Sequence, residues 1–196
     1  MFLLSFISSN RGLDPQAYIN RFEQFQSTIE KEIKSDNAIY TVHFLNKEIQ
    51  VIQAFYRGII TNVEASDWLN EKENEVKIHF QIEIPENGSR EFLKFEMDGT
   101  TYEDRLNYFA FEFSKDIEVL GNKSKVLKIT NYHFERDFGI STKGNITFCI
   151  REDNNLQKLQ LTFNDKIYGN GKLSTEFDLT KLKSLPKLKN PRKWKN

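Results

Sequence analysis

The densest run of polar and ionisable side chains in the sequence is Tyr132-His133-Phe134-Glu135-Arg136-Asp137. If this run is a β-strand, His133 and Glu135 share a face about 7 Å apart, from a rise of about 3.3 Å per residue. An imidazole beside a carboxylate is the minimal equipment for acid–base chemistry, or for part of a metal site. No third member stands at a recognisable spacing, because His43 and His79 fall in separate predicted strands. A structural ion pair or a solvent-facing row is the commoner meaning of such a pair. His133 and Glu135 are thus the candidate catalytic residues, and a small hydrolase or ligand-binding enzyme is the activity they would serve.

Other chemistry has less to stand on. No Gly-x-Ser-x-Gly elbow occurs, and Cys149 sits in an alternating strand pattern, where it reads as a small strand residue rather than a thiolate. Gly169-Asn-Gly171-Lys172 lacks the four residues between glycines and the following Ser or Thr of a phosphate loop, and a hairpin turn explains it better. One cysteine rules out a disulfide framework and a Cys-rich zinc site, and neither a metal nor a cofactor is expected. Lys plus Arg (28) equals Asp plus Glu (28), so no whole-molecule field steers the chain to nucleic acid. The balance is uneven, however. Lys181, Lys183, Lys187, Lys189, Arg192, Lys193 and Lys195 stand without an acid in the last 16 residues, leaving residues 1–180 at −7 (21 cations, 28 acids). Arg136, Lys187, Lys189, Arg192, Lys193 and Trp194 are the candidate binding residues, the tail facing a phosphate backbone or an anionic lipid surface. A hydrated Lys-rich surface tail is the plainer alternative.

The elements that would position these groups are legible from periodicity. Asp14-Pro15 opens a predicted helix whose apolar stripe, Tyr18, Phe22, Phe25, Ile29 and Ile33, runs to about Lys34. A strand follows at Tyr40–Phe44, then helical spacing over Ile49–Ile59 and a short helix capped at Asn62 and running to Glu73. From Val76 the period becomes two. Strands are predicted at 76–84, 93–97, 109–113, 126–134, 146–150, 159–163 and 173–179, with turns at 85–88, 98–99, 121–122, 153–155 and 169–171. The reading is one α+β domain over residues 1–196: two or three helices in the N-terminal third, then a mainly antiparallel sheet. About eight strands must curl or form two layers to hide an apolar face. Residues 181–196 are expected to leave the sheet as a basic surface tail.

Met1–Asn10 has the texture of a signal peptide's apolar end, without a basic leader or a small-x-small cleavage site. Residues 1–13 are accordingly read either as a signal-peptide remnant or as an ordinary apolar segment. Leu13-Asp-Pro-Gln-Ala-Tyr18, Tyr102–Ile117, Tyr132–Arg136 and the Gly169-Asn-Gly171 strand together resemble a family of uncharacterised predicted lipoproteins of Bacteroidetes. That resemblance implies an envelope protein tethered by an N-terminal lipid and implies no activity. The chain departs from the family pattern in having no Cys after Phe2-Leu3-Leu4. The function expected is a non-enzymatic, envelope-associated binding module with a protein or envelope component as partner, touching membrane through a lipid anchor or the basic tail. The alternatives are the His133/Glu135 enzyme and a cytosolic immunity or adaptor protein.

Overall fold

The computed structural model describes residues 12–71, 75–85, 91–94, 99–136, 141–151, 156–185 and 187–195. In chain order its elements are α1 (Pro15–Glu23), α2 (Gln26–Ile29), β1 (Glu30–Lys34), β2 (Ile39–Leu45), α3 (Lys47–Tyr56), α4 (Asn62–Asn70), β3 (Glu75–Glu83), α5 (Tyr102–Asn107), β4 (Ile117–Leu120), β5 (Ile129–Glu135), β6 (Lys143–Arg151), β7 (Lys158–Asp165) and β8 (Gly171–Asp178). These segments gather into two compact units, one from 12–24, 47–71 and 184–195, the other from 25–46 and 75–183.

The larger unit holds all eight described strands. Five form a sheet in the order β1-β2-β3-β6-β5 and three a second sheet in the order β4-β7-β8, with every named pairing antiparallel. The α+β, two-layered reading therefore holds. Alternation explains the layers: Tyr40, Val42 and Phe44 on β2, Ile78, Phe80 and Ile82 on β3, and Ile146, Phe148 and Ile150 on β6 are all buried, while their odd-numbered neighbours are not. From the small sheet, Phe163 meets Tyr40 at a ring-centroid distance of 4.8 Å and Phe80 at 4.9 Å, and Phe177 meets Phe44 at 4.7 Å. Each fully buried aromatic of this kind removes enough apolar surface from water to stabilise the fold by about 1.5–3 kcal/mol.

A buried polar knot ties the same two sheets. Asp165, at the end of β7, accepts from the Tyr40 hydroxyl (2.6 Å), the backbone N–H groups of Ile167, Tyr168 and Asn170 (3.2, 3.0 and 3.1 Å) and the Asn170 amide (2.8 Å). Asn170 also donates to the Tyr40 oxygen at 2.8 Å. The Gly169-Asn-Gly171 segment is thus a hairpin loop, as its sequence suggested, closed around one carboxylate. Gly169 and Gly171 take φ of 75° and 65°, where a Cβ would be strained. Burial, Asp165's hydrogen bond and its charge all push the Tyr40 hydroxyl well above the usual tyrosine value, so it stays a donor.

Several expected elements are differently built. The long first helix stops at Glu23, and Glu30–Lys34 is instead an edge strand paired with β2. Its alternating charges suit an edge, and the ladder to β2 outweighs a helical spacing that Ile29 and Ile33 merely permitted. The 109–113 strand is helical. Thr101 and Asp104 close a capping box that starts α5, and the chain continues as a π-turn over Tyr108–Glu112. Phe109 and Phe113, four apart, are buried, while Phe111 between them is 70% exposed. Three Phe at alternate positions fit either period, and the cap decides. Leu93 lies in a 3-10 turn, Phe92–Lys94, and the remainder of that expected strand, with the turns at 85–88, 98–99 and 153–155, falls wholly or partly outside the described residues. β4 was not anticipated. The cap of α4 is Thr61, whose hydroxyl accepts from Glu64 N–H, rather than Asn62.

In the smaller unit Tyr18, Val51, Ile52, Phe55, Ala65 and Trp194 form one apolar cluster. The tail does not lie loose on the surface here. Leu13 N–H donates to Lys187 C=O at 2.8 Å and Lys189 N–H to Leu13 C=O at 2.7 Å, and Trp194 is 7% exposed with its ring 5.2 Å from that of Phe55. A lone Trp gains more by burying its large ring than its lysine neighbours lose by staying at the rim.

Asp165→Ala leaves buried donors without an acceptor and is expected to lower unfolding free energy by about 2–4 kcal/mol in urea, with Tyr40→Phe costing about 1 kcal/mol. Gly144→Ala would place a Cβ 2.4 Å from the buried Phe92 ring. It should cost about 1–3 kcal/mol by overpacking, and a neutral result would show that Phe92 can move aside.

Candidate functional site: the polar face of the five-stranded sheet

Packing of the apolar face leaves the opposite face of the five-stranded sheet polar, and the strand registers decide which groups meet there. Glu30 stands opposite His43, His43 opposite His79, His79 opposite Thr147, and Thr147 opposite His133. The chain has three histidines, and all three fall in one transverse row. With strands about 4.8 Å apart, the row spans roughly 19 Å. A second row beside it is Glu32, Thr41, Gln81, Asn145 and Glu135. Gln81 donates to Asn145 across the strands at 2.9 Å.

His133 enters this row only because β5 is bulged. Between Thr130 and His133 the register shifts, Asn131 taking φ of 51°, so Asn131 and Tyr132 together occupy the length of one residue on β6. Tyr132 then turns inward, its hydroxyl donating to the Phe109 carbonyl, while His133 and Glu135 face solvent. The expected His133/Glu135 pair is therefore real as a shared face and exposed on an edge strand. What sequence reasoning missed is its company: His43 and His79 are far apart in the chain, and no spacing rule links them. The available signal was their odd parity beside buried even-numbered neighbours, Val42, Phe44, Ile78 and Phe80.

His43 is the best-positioned of the three. Its Nδ1 lies 3.5 Å from Glu30 Oε2, both side chains about one-third exposed. Burial holds its ring below the ordinary histidine value, the Glu30 carboxylate opposes this, and His79 adds to the depression. At neutral pH the imidazole is uncharged, and the approach to Glu30 is a long polar contact rather than an ion pair. Orientation of one ring nitrogen toward a carboxylate leaves Nε2 available to a ligand or partner. Among the described residues, no group of three or more His, Cys, Asp or Glu side chains is gathered to hold a metal ion.

The remaining candidates are dispersed. Arg136 follows β5 and is exposed, and Cys149 is half-buried on the polar face opposite Lys77 and Thr130. Lys187, Lys189, Arg192 and Lys193 are exposed in the smaller unit, where Trp194 serves the core. Lys189, Lys193, Trp194 and Lys195, with Tyr56 and Asp14, line a cavity of about 260 Å³. In the larger unit a groove of about 490 Å³ carries both signs, Lys31, Lys123 and Lys158 with Glu176 and Asp178. Neither cavity contains His133 or Glu135.

The unfolded chain takes up the His43 proton near pH 6.5 and the folded chain only at lower pH. The stability His43 confers is therefore complete above pH 6.5 and is lost as the pH falls from there toward the folded value. Unfolding free energy should decline as the pH falls below about 6.5, and His43→Gln should flatten that decline in chemical denaturation series. An unchanged slope would place the responsible group elsewhere.

No protein-family model matches the chain, and no curated protein matches it. Among solved structures it is similar to a DUF4426 family protein from Pseudomonas aeruginosa PAO1, at 8% identity and TM-score 0.37 over 76% of this chain and 91% of the other. It is also similar to a novel protein of unknown function from Burkholderia pseudomallei K96243, at 11% identity and TM-score 0.39 over 91% and 96%.

Proposed function

We propose that this chain is a non-enzymatic binding module of a bacterial cell envelope, and that the polar face of its five-stranded sheet is the recognition surface. One observation carries the reading: Glu30, His43, His79, Thr147 and His133 stand in a single row on five hydrogen-bonded strands. Strand positions are rigid, so a partner meeting them loses little freedom that the module must surrender on its side. Imidazoles, carboxylates, hydroxyls and the Gln81–Asn145 pair offer both donors and acceptors, which suits a polar peptide or saccharide chain lying across the strands.

An acid–base catalyst would need His133 in a concave site that excludes water and holds a substrate within reach. Its exposed position on an edge strand favours recognition over turnover. The envelope part of the proposal is supported by the Leu13–Tyr18, Tyr102–Ile117 and Tyr132–Arg136 resemblance to predicted lipoproteins of Bacteroidetes.

A photoreactive amino acid placed at Thr147 in the native host should give one reproducible adduct, recovered with the envelope fraction. The adduct should disappear when His79→Ala and Gln81→Ala are added, and the same label at Glu176, exposed on the small sheet, should not form it. Labelling at both positions alike, or an adduct found only in the cytosol, would sink the proposal.

A further inference from the structure

We infer that the smaller unit carries a second surface, independent of the sheet face, that docks on anionic lipid bilayers. It consists of the bend between α3 and α4 together with the lysines beside Trp194. Isolated exposed apolar side chains are ordinary and mean nothing singly. Here three of them fall within eight residues of one bend: Tyr56 is 47% exposed, Ile59 67% and Val63 55%. The smaller unit has somewhere to put such groups, since the neighbouring Val51, Ile52 and Phe55 are buried in its core. The bend is fixed rather than loose. Gly58 takes φ of 69° and donates to Phe55 C=O at 2.9 Å, and Ile59 donates to Ala54 C=O at 3.0 Å. The Thr61–Glu64 capping box then starts α4.

Charge decides the occupant. The Asn62 amide donates to the carbonyls of Pro191 and Trp194, at 2.7 and 3.2 Å, and so pins the start of α4 to the 191–194 turn. Tyr56 shares its cavity with Lys189, Lys193 and Lys195. Five cations, Arg57, Lys189, Arg192, Lys193 and Lys195, thus stand on or beside this bend and the first turns of α4 with three acids, Asp14, Glu64 and Asp67, a net of +2. Asp14 and Glu64 are engaged. Asp14 caps α1 and lies 3.9 Å from Lys189, and Glu64 accepts from the Thr61 N–H and hydroxyl. A branched aliphatic pair, a tyrosine and a rim of lysines match the strata of a bilayer surface: acyl boundary, carbonyl level and phosphate level. A protein partner would match the apolar groups with a pocket and would not require an excess of cations beside them. Among the described residues no helix is long and apolar enough to cross a membrane.

The full chain is tested on vesicles of phosphatidylcholine alone and of phosphatidylcholine with an equal part of phosphatidylglycerol. Cosedimentation is expected with the anionic vesicles only and should weaken as salt is raised. Lys193→Gln with Lys195→Gln should lower affinity about 25-fold, from roughly fivefold per lysine at a charged surface. Ile59→Ser with Val63→Ser should lower it about tenfold or more through lost apolar insertion. All four side chains are exposed, so circular dichroism and melting should stay as in the parent. As a readout of insertion, an environment-sensitive dye is attached at Ile59→Cys in a Cys149→Ser background. Its emission should shift to the blue on anionic vesicles, while dye at Asp67→Cys, exposed further along α4, should not shift. Equal binding to neutral vesicles, indifference to both pairs of substitutions, or an unshifted dye at position 59 would each overturn the inference. His79→Ala leaves this binding intact if the two surfaces are separate, so failure here would not count against the sheet-face reading.

Discussion

The Asp165 carboxylate is the constraint on which the two-sheet unit turns. An ionised group this deeply buried costs several kcal/mol unless its lone pairs are met, and five donors meet them. Four come from its own hairpin loop and fix that loop's path. The fifth is the Tyr40 hydroxyl, from the other sheet, and it sets how β2 lies over β7. The rings of Tyr40, Phe80 and Phe163 are packed together at this junction, but hydrocarbon contacts alone tolerate sliding. A directional knot does not, and it selects one packing of the layers from several of similar apolar area.

Fixing the core in this way also fixes the polar face, because side chains alternate. Moving β2 or β3 by a single residue would turn its histidine inward and an isoleucine or phenylalanine to water. The transverse His row is therefore a by-product of core register in β2 and β3. In β5 it is not, since an extra residue at Asn131 is needed to bring His133 outward while Tyr132 reaches the Phe109 carbonyl. A bulge that re-aims one side chain at a sheet edge is a local departure from regularity, and such departures often accompany recognition.

How far the sequence reveals this molecule depends on whether the information is local. Val76–Ile84, Ile146–Ile150 and Leu159–Phe163 announce themselves, because a strand with one buried face has a strict period of two. The expected total of about eight strands agrees with the eight found among the described residues, although its membership does not. In the 109–113 segment, Phe at alternate positions satisfies a strand period and a helical i, i+4 pair alike, and the cap at Thr101 decides for the helix. Glu30–Lys34 carries helical spacing in its sequence, whereas an edge strand's identity resides in its neighbour's hydrogen bonds. His133 and Glu135 are visible as a pair, but the row they join depends on pairings such as His79 with Thr147, about 70 positions apart in the chain. Trp194 shows the same limit from the other side: seven cations hid an anchor of the core.

The smaller unit is stitched from residues 12–24, 47–71 and 184–195, with Leu13 bridged to Leu188. This has a consequence for biosynthesis. As the chain leaves the ribosome, α1, α3 and α4 emerge early, but the segment around Leu188 and the indole that complete their core are translated more than a hundred residues later. Until then Tyr18, Val51, Ile52 and Phe55 have no Trp194 to cover them, and a nascent chain stalled in the last strand would display an apolar surface the finished protein hides. Such a long-range closure is slow by its topology. The early helices are therefore natural clients for a holdase, and a frameshift late in the coding sequence would be felt at the N-terminal end of the protein.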